Sequence, residues 1–138
     1  MTPYDYQVEY SKQGAAILRE NMIVYLAMEE RTGKTLTAIL IAEQLLISTV
    51  LVVTKKAALK GWDDTLKNFK HSKVYTVTNY HQVSKLTKKY DLVILDESHN
   101  YLSAYPKHSA MWRSIKSVVK DTPIVYVSAT PHAQGPQQ

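Results

Sequence analysis

Two stretches of this chain hold residue types that do phosphate chemistry. In "MEERTGKT", Met28–Thr35, a glycine, a lysine and a threonine stand together as Gly33, Lys34 and Thr35. In "DLVILDESHN", Asp91–Asn100, an apolar run ends on adjacent carboxylates, Asp96 and Glu97. Backbone N–H groups of a glycine turn that opens a helix can cradle phosphate oxygens. The lysine would reach the β- and γ-phosphates of a nucleotide, and the Thr35 hydroxyl would ligate Mg2+. Adjacent carboxylates at a buried strand end repel each other and are costly to desolvate, so they need a partner. A nucleotide's Mg2+ takes one or two carboxylates besides phosphate oxygens. Asp96 would hold it, directly or through water, leaving Glu97 to take a proton from the water that attacks the γ-phosphate. The plain alternative, a strand ending in polar turn residues, explains one acid more easily than two. The full phosphate-loop pattern also asks for glycine where Met28 stands, so that match is incomplete.

These residues depend on elements that bring them to one place. Helical spacing predicts a helix from about Tyr6 to Glu20, and "MIVYLAM", Met22–Met28, reads as a buried strand. A helix over Lys34–Ile47 follows the glycine turn, then a strand "TVLVVT", Thr49–Thr54. "AALKGWDDTLKNF" predicts a helix interrupted near Gly61, "KVYTVT" a third strand, and a short helix runs from there through Lys88. "DLVILD" is a fourth strand, Tyr105–Lys120 a helix, and "PIVYVSA", Pro123–Ala129, a fifth strand. Strands alternating with helices, the strands apolar throughout, predict an α/β domain: a mostly parallel, five-stranded or larger sheet with helices on both faces. Ligands of such sheets sit beyond the carboxyl ends of the strands. The polar residues after each apolar run, "EERTGKT", "TKK", "TNYH", "DESH" and "SATP", therefore share one rim.

The 138 residues suffice for one domain with a sizeable core, and 45% hydrophobic with 21% charged residues is ordinary for a globular chain. There is no cysteine, so disulfides and thiolate metal sites are excluded, which fits an intracellular protein. The N-terminus lacks the pattern of a secretory signal. "TAILIAEQLLISTVLVV", Thr37–Val53, is broken by Glu43 and Gln44 and reads as helix then strand, so no membrane span is expected. The net charge is +5, but Lys55–Lys89 alone holds nine lysines against Asp63 and Asp64. That local +7 leaves the rest of the chain at −2 and suggests a polyanionic partner, with a solvated lysine-rich surface as the bland reading.

Taken in order, "MEERTGKT", "DESH" and "SAT" resemble the first RecA-like motor domain of superfamily-two helicases and translocases. "DESH" stands at that family's DExx box and "SAT" at its third motif. Tyr6–Gln7, about two dozen residues before the phosphate loop, is similar to the SWI/SNF-like branch and its phage and bacterial relatives. The resemblance spans Gln7 to Pro131, so residues 1–138 are expected to be a single RecA-like P-loop domain, the first of two. It implies ATP and Mg2+ as cofactors, with Arg31, Thr32, Gly33, Lys34 and Thr35 around the phosphates. Gln7 would read the adenine through its amide. Ser128, Thr130 and His99 would couple the nucleotide site to movement along nucleic acid. "VVTKKAALKGW" resembles motif Ia and "TVTNYHQ" motif Ib, which in the family face nucleic-acid phosphates. Both fall in the basic segment and mark Thr54, Lys55, Lys56, Thr78 and Asn79 for backbone contact, with DNA preferred over RNA. Trp62 and Tyr80 could stack on bases, but packing is the favoured role. Lys67, Lys70, Lys85, Lys88 and Lys89 read as solvated surface.

The chain departs from the family at two levels. Glu30 and Arg31 stand where the SWI/SNF-like branch has methionine and glycine; Arg31 could lie over the nucleotide or point to water. The family's second RecA-like domain, which supplies an arginine worth three to five powers of ten in rate, is expected in a longer protein. Arg19, Arg31 and Arg113 fit no finger motif. The resemblance thus implies an ATP-dependent helicase or translocase whose isolated first domain binds ATP weakly and hydrolyses it poorly, in the cytoplasm (the host's, if phage-encoded). Two competing readings are a nucleic-acid-binding module with a vestigial phosphate loop and a small-molecule kinase. The intact Lys34, Thr35, Asp96 and Glu97 speak against the first; the scarcity of late arginines for a lid speaks against the second.

Overall fold

The computed structural model of the chain describes residues 5–21, 23–28, 33–86, 88–96 and 121–129. Five strands form one sheet: β1 (Ile23–Met28), β2 (Thr49–Thr54), β3 (Val74–Asn79), β4 (Leu92–Asp96) and β5 (Ile124–Ala129). Every pairing is parallel and the spatial order is β1-β5-β4-β2-β3, so β5 lies between β1 and β4. Three helices accompany them: α1 (Asp5–Asn21), α2 (Lys34–Glu43) and α3 (Leu59–Asn68). Short 3-10 turns occupy Lys56–Ala58 and Val83–Lys85.

Successive side chains of a strand point to opposite faces, and both faces of the central strands β2 and β4 are buried. Val50 and Val52 of β2, with Leu92 and Ile94 of β4, pack on the α1, α2 and α3 side with Leu18, Ile39, Ile41 and Trp62. Their neighbours Leu51, Val53, Val93 and Leu95 pack on the other side with Tyr80, Val83 and Tyr90. Each fully buried aliphatic contributes about 1.5–3 kcal/mol, which is why these strands read as continuous apolar runs. The topology explains the two layers. From β1 to β2 to β3 the chain moves one way across the sheet, and its helices α2 and α3 cover one face. From β3 to β4 it moves back, and a crossover of the same right hand must then pass over the opposite face. Val83, in that connection, lies there.

The predicted strands hold, and β2 matches residue for residue. Three details of the helices are corrected. The second helix ends at Glu43, not Ile47; past it the chain turns, and Leu46, apolar but fully exposed, belongs to the turn. The third runs through Gly61 without a break. Between β3 and β4 there is one 3-10 turn in place of a helix through Lys88. The predicted helix at Tyr105–Lys120 lies outside the described residues. Among the described residues no helix is long and apolar enough to cross a membrane; Thr37–Val53 is indeed the body of α2, a turn and β2.

At the edge of the sheet, Glu43 at the end of α2 fastens the start of β3. Its Oε1 accepts from the N–H and hydroxyl of Ser72, each at 2.8 Å, and its Oε2 accepts from the Tyr75 phenol at 2.8 Å. Burial pushes the Glu43 carboxyl up, but the hydrogen bonds from Ser72, Tyr75 and the Lys73 backbone outweigh it and hold the group below its ordinary range. The same contact, after burial, pushes the Tyr75 phenol well above its ordinary range. At the same end of the strands, Asp91 accepts from the N–H groups of Ser48 and Thr49, which holds its carboxyl down.

Candidate functional site

The parallel sheet carries the ends of β1, β2, β3, β4 and β5 to one rim, and Lys34, Thr35, Lys55 and Asp96 line a cavity there. Gly33 precedes α2 with φ 75° and ψ 42°, a left-handed conformation that glycine adopts without steric cost. Its carbonyl accepts from the N–H and hydroxyl of Thr37, each at 3.0 Å, and from Nε2 of Gln7 at 3.2 Å. The first turn of a helix offers N–H groups that its own backbone does not use. Here that turn holds no acidic residue and begins with a lysine, the reverse of what the helix dipole favours. A positive side chain at a positive helix end is the arrangement that suits a bound anion.

Lys34 and Asp96 are both buried, 6% and 2% exposed, and their Nζ and Oδ1 atoms stand 3.8 Å apart. Lys34 opens α2, the helix that follows β1, and Asp96 ends β4, with β5 between the two strands; the long lysine side chain reaches the carboxylate. Asp96 is held further by three neighbours. Its Oδ2 accepts from Thr54 Oγ1 and from Trp62 Nε1, each at 2.8 Å, and its backbone carbonyl accepts from the Tyr80 hydroxyl at 2.7 Å. Charge-assisted hydrogen bonds of this kind, with the lysine, offset the desolvation of a buried carboxylate. A cavity of about 340 Å3 opens beside this group, lined by Gly33, Lys34, Thr35, Lys55, Trp62 and Asp96 among others.

Thr54 is corrected. It is completely buried and its hydroxyl serves Asp96, so it is not a surface contact for nucleic acid. Trp62 and Tyr80 are interior residues, as favoured for packing. Their polar tips bind Asp96, a role the sequence reading missed. The available signal was chemical: a buried tryptophan N–H or tyrosine O–H must find an acceptor. Gln7 is 2% exposed and its amide nitrogen bonds the Gly33 carbonyl, tying α1 to the glycine turn.

Pairing of β2 with β3 brings the two segments resembling motifs Ia and Ib together, Thr54 opposite Asn79 and Val53 opposite Thr78. Lys55 is half-buried and lines the cavity, Lys56 is exposed, and Thr78 is half-buried. Asn79 Oδ1 accepts from the N–H groups of His81 and Gln82 at 2.9 and 3.0 Å and so shapes the turn after β3. Ser128 lies on β5, its backbone opposite Ala27 of β1. Arg31, Thr32, Glu97, His99 and Thr130 lie outside the described residues.

The donor set can be tested for Mg2+. Thr35 and Asp96 offer hard oxygen, as that ion requires, and both line the same cavity. Among the described residues no group of three or more histidine, aspartate or glutamate side chains could hold a metal alone. Two protein oxygens fit an ion that arrives with phosphates and water as its remaining ligands, and the residues present therefore fit a Mg–nucleotide.

Comparison with known proteins bears on the fold. Residues 67–133, just under half of the chain, match the family model "Type III restriction enzyme, res subunit". No curated protein matches the sequence. Among solved structures, the Sulfolobus solfataricus SWI2/SNF2 ATPase core in complex with dsDNA superposes with a TM-score of 0.71 at 15% identity, over 94% of this chain and 32% of that one. The same core domain, in a second structure, gives 0.65 at 19% identity over 94% and 32%. The ATP-dependent Type ISP restriction-modification enzyme LlaBIII bound to DNA gives 0.67 at 18% identity, over 93% of this chain and 13% of that one. The chain thus spans about a third of the SWI2/SNF2 core and a smaller part of the restriction enzyme. The likeness shows the fold, a RecA-like one shared with those ATPase cores.

Proposed function

We propose that this domain is the ATP-binding half of a nucleic-acid-dependent ATPase of the helicase and translocase kind. The carrying observation is the 3.8 Å approach of Lys34 to Asp96 beside the left-handed Gly33 turn. It is supported by the family match to a restriction-enzyme res subunit and by the likeness to ATPase cores. In this reading the Gly33 turn and the start of α2 hold the phosphates. Lys34 neutralises the β- and γ-phosphates, and Thr35 with Asp96 holds Mg2+. The ion, when bound, neutralises charge that builds on the phosphates during transfer. Glu97, next in sequence to Asp96, takes the proton of the attacking water. Gln7 fixes the glycine turn from behind through the Gly33 carbonyl, and its amide is also the group proposed to read the adenine.

Nucleic acid binds along the basic segment through its phosphates, at Lys55, Lys56, Thr78 and Asn79, and His99, Ser128 and Thr130 relay the nucleotide state. DNA is the favoured polymer, because both similar structures with bound nucleic acid contain DNA. A second RecA-like domain supplies the arginine, so the 138-residue chain alone binds ATP weakly and turns it over slowly. Lys34→Ala should abolish binding of labelled Mg–ATP to the folded chain. Affinity equal to that of the parent would overturn the phosphate-loop assignment.

A further inference from the structure

Thr54 and Trp62 both donate to one oxygen of Asp96, Oδ2, and each bond is 2.8 Å long. The two donors come from different elements, the end of β2 and the body of α3. They also bracket a single short span, Lys55–Gly61, which contains Lys55 and Lys56 and lies against the same cavity through Lys55, Ala57, Ala58 and Gly61. The carboxylate therefore fastens both ends of the basic turn. Its other oxygen, Oδ1, is the one directed at Lys34. A carboxylate turns about two side-chain bonds, and two directed donors on one oxygen, in a buried site, remove that freedom.

We propose that Thr54 and Trp62 are positioning residues: by holding Oδ2 they present Oδ1 of Asp96 to the Mg2+ of a bound nucleotide. The same clamp joins the Lys55–Gly61 turn to that carboxylate. The inference rests on the reading of Asp96 as the Mg2+ carboxylate.

The test uses the 138-residue chain and a fluorescent ATP analogue, its binding followed by anisotropy as Mg2+ is titrated and again in chelator. Trp62→Phe keeps an aromatic ring and removes the N–H; Thr54→Val keeps the shape and removes the hydroxyl; Thr54→Ser restores it. Groups that orient a metal ligand typically contribute about 10- to 100-fold in metal affinity. The expected result is a rise of about tenfold in the Mg2+ concentration at half-saturation for Trp62→Phe and Thr54→Val. Metal-free affinity should stay at the parent's level, and Thr54→Ser should return the midpoint to that of the parent. A merely structural role would lower metal-free and Mg2+-dependent binding together, and that outcome overturns the inference. An unchanged Mg2+ midpoint in folded Thr54→Val overturns it as well, even if Trp62→Phe fails to fold. If the parent chain shows no Mg2+-dependent binding, the Mg–ATP reading falls first and the inference falls with it.

Discussion

Gly33→Ala tests the construction of the glycine turn, because the structure assigns it two separable costs. Gly33 has φ 75°, where a residue with a Cβ is strained by about 1–2 kcal/mol. The added methyl also collides with the side-chain nitrogen of Gln7, which is buried and bonded to the Gly33 carbonyl. Driving that amide away loses a hydrogen bond and leaves a buried polar group unmet, about 1–3 kcal/mol more. The single substitution should therefore cost about 3.5 kcal/mol, the sum of the two central values. In a Gln7→Ala background the collision is absent, and Gly33→Ala should cost only the strain, about 1–2 kcal/mol. The difference, a coupling of about 1–3 kcal/mol, exceeds the roughly 0.3–0.5 kcal/mol expected of independent sites. Urea unfolding followed by circular dichroism measures all four chains. With a slope of about 1–3 kcal/mol per molar urea, the coupling appears as a midpoint difference of several tenths of a molar or more. Equal costs in both backgrounds would refute the placement of Gln7 behind the phosphate loop.

Other consequences can be measured alongside. Lys55→Ala combined with Lys56→Ala should weaken binding of duplex DNA and reduce the slope of log affinity against log salt by up to about 2, since each neutralised phosphate contributes about 0.9; an unchanged slope would place the strand elsewhere. Glu43, whose carboxyl lies below its ordinary range, contributes stability that is present above its unfolded-state value and is lost as pH falls through the folded one. Stability of the parent should thus fall from neutral pH to about pH 3 more steeply than that of Glu43→Gln, which is already weakened at neutral pH. Asp91, depressed in the same direction, keeps part of the slope in the variant. Parallel urea midpoints for the two chains across that range would contradict the role given to Glu43.

Much of the scaffold was legible because two-sided burial writes itself into sequence as unbroken apolar runs, as at Thr49–Thr54 and Leu92–Asp96. The convergence of Lys34 with Asp96 was legible too, since both follow such runs and parallel strands share one polar rim. Helix ends were less so. "QLLIS" continues an apolar pattern, yet its middle leucine is solvent-facing, and nothing local distinguishes that turn from another helical turn. Gly61 looked like a break, but a helical glycine costs only about 1 kcal/mol relative to alanine, and the buried Trp62 beside it holds α3 in place. Thr54 at a strand end resembled a rim contact; it is interior because Trp62 and Asp96 close over it. That enclosure is a tertiary fact, set by residues 34 and 42 positions apart in the chain.

The order β1-β5-β4 has a consequence for how the site is assembled. Neighbouring strands are about 4.7–4.9 Å apart, so β1 and β4, with β5 between them, lie nearly 10 Å from each other. Backbone hydrogen bonding sets that interval, and surface substitutions leave it intact. The ammonium of Lys34 nevertheless stands 3.8 Å from the Asp96 carboxylate, so the main chain holds the strands apart while a single long side chain brings the opposite charges together.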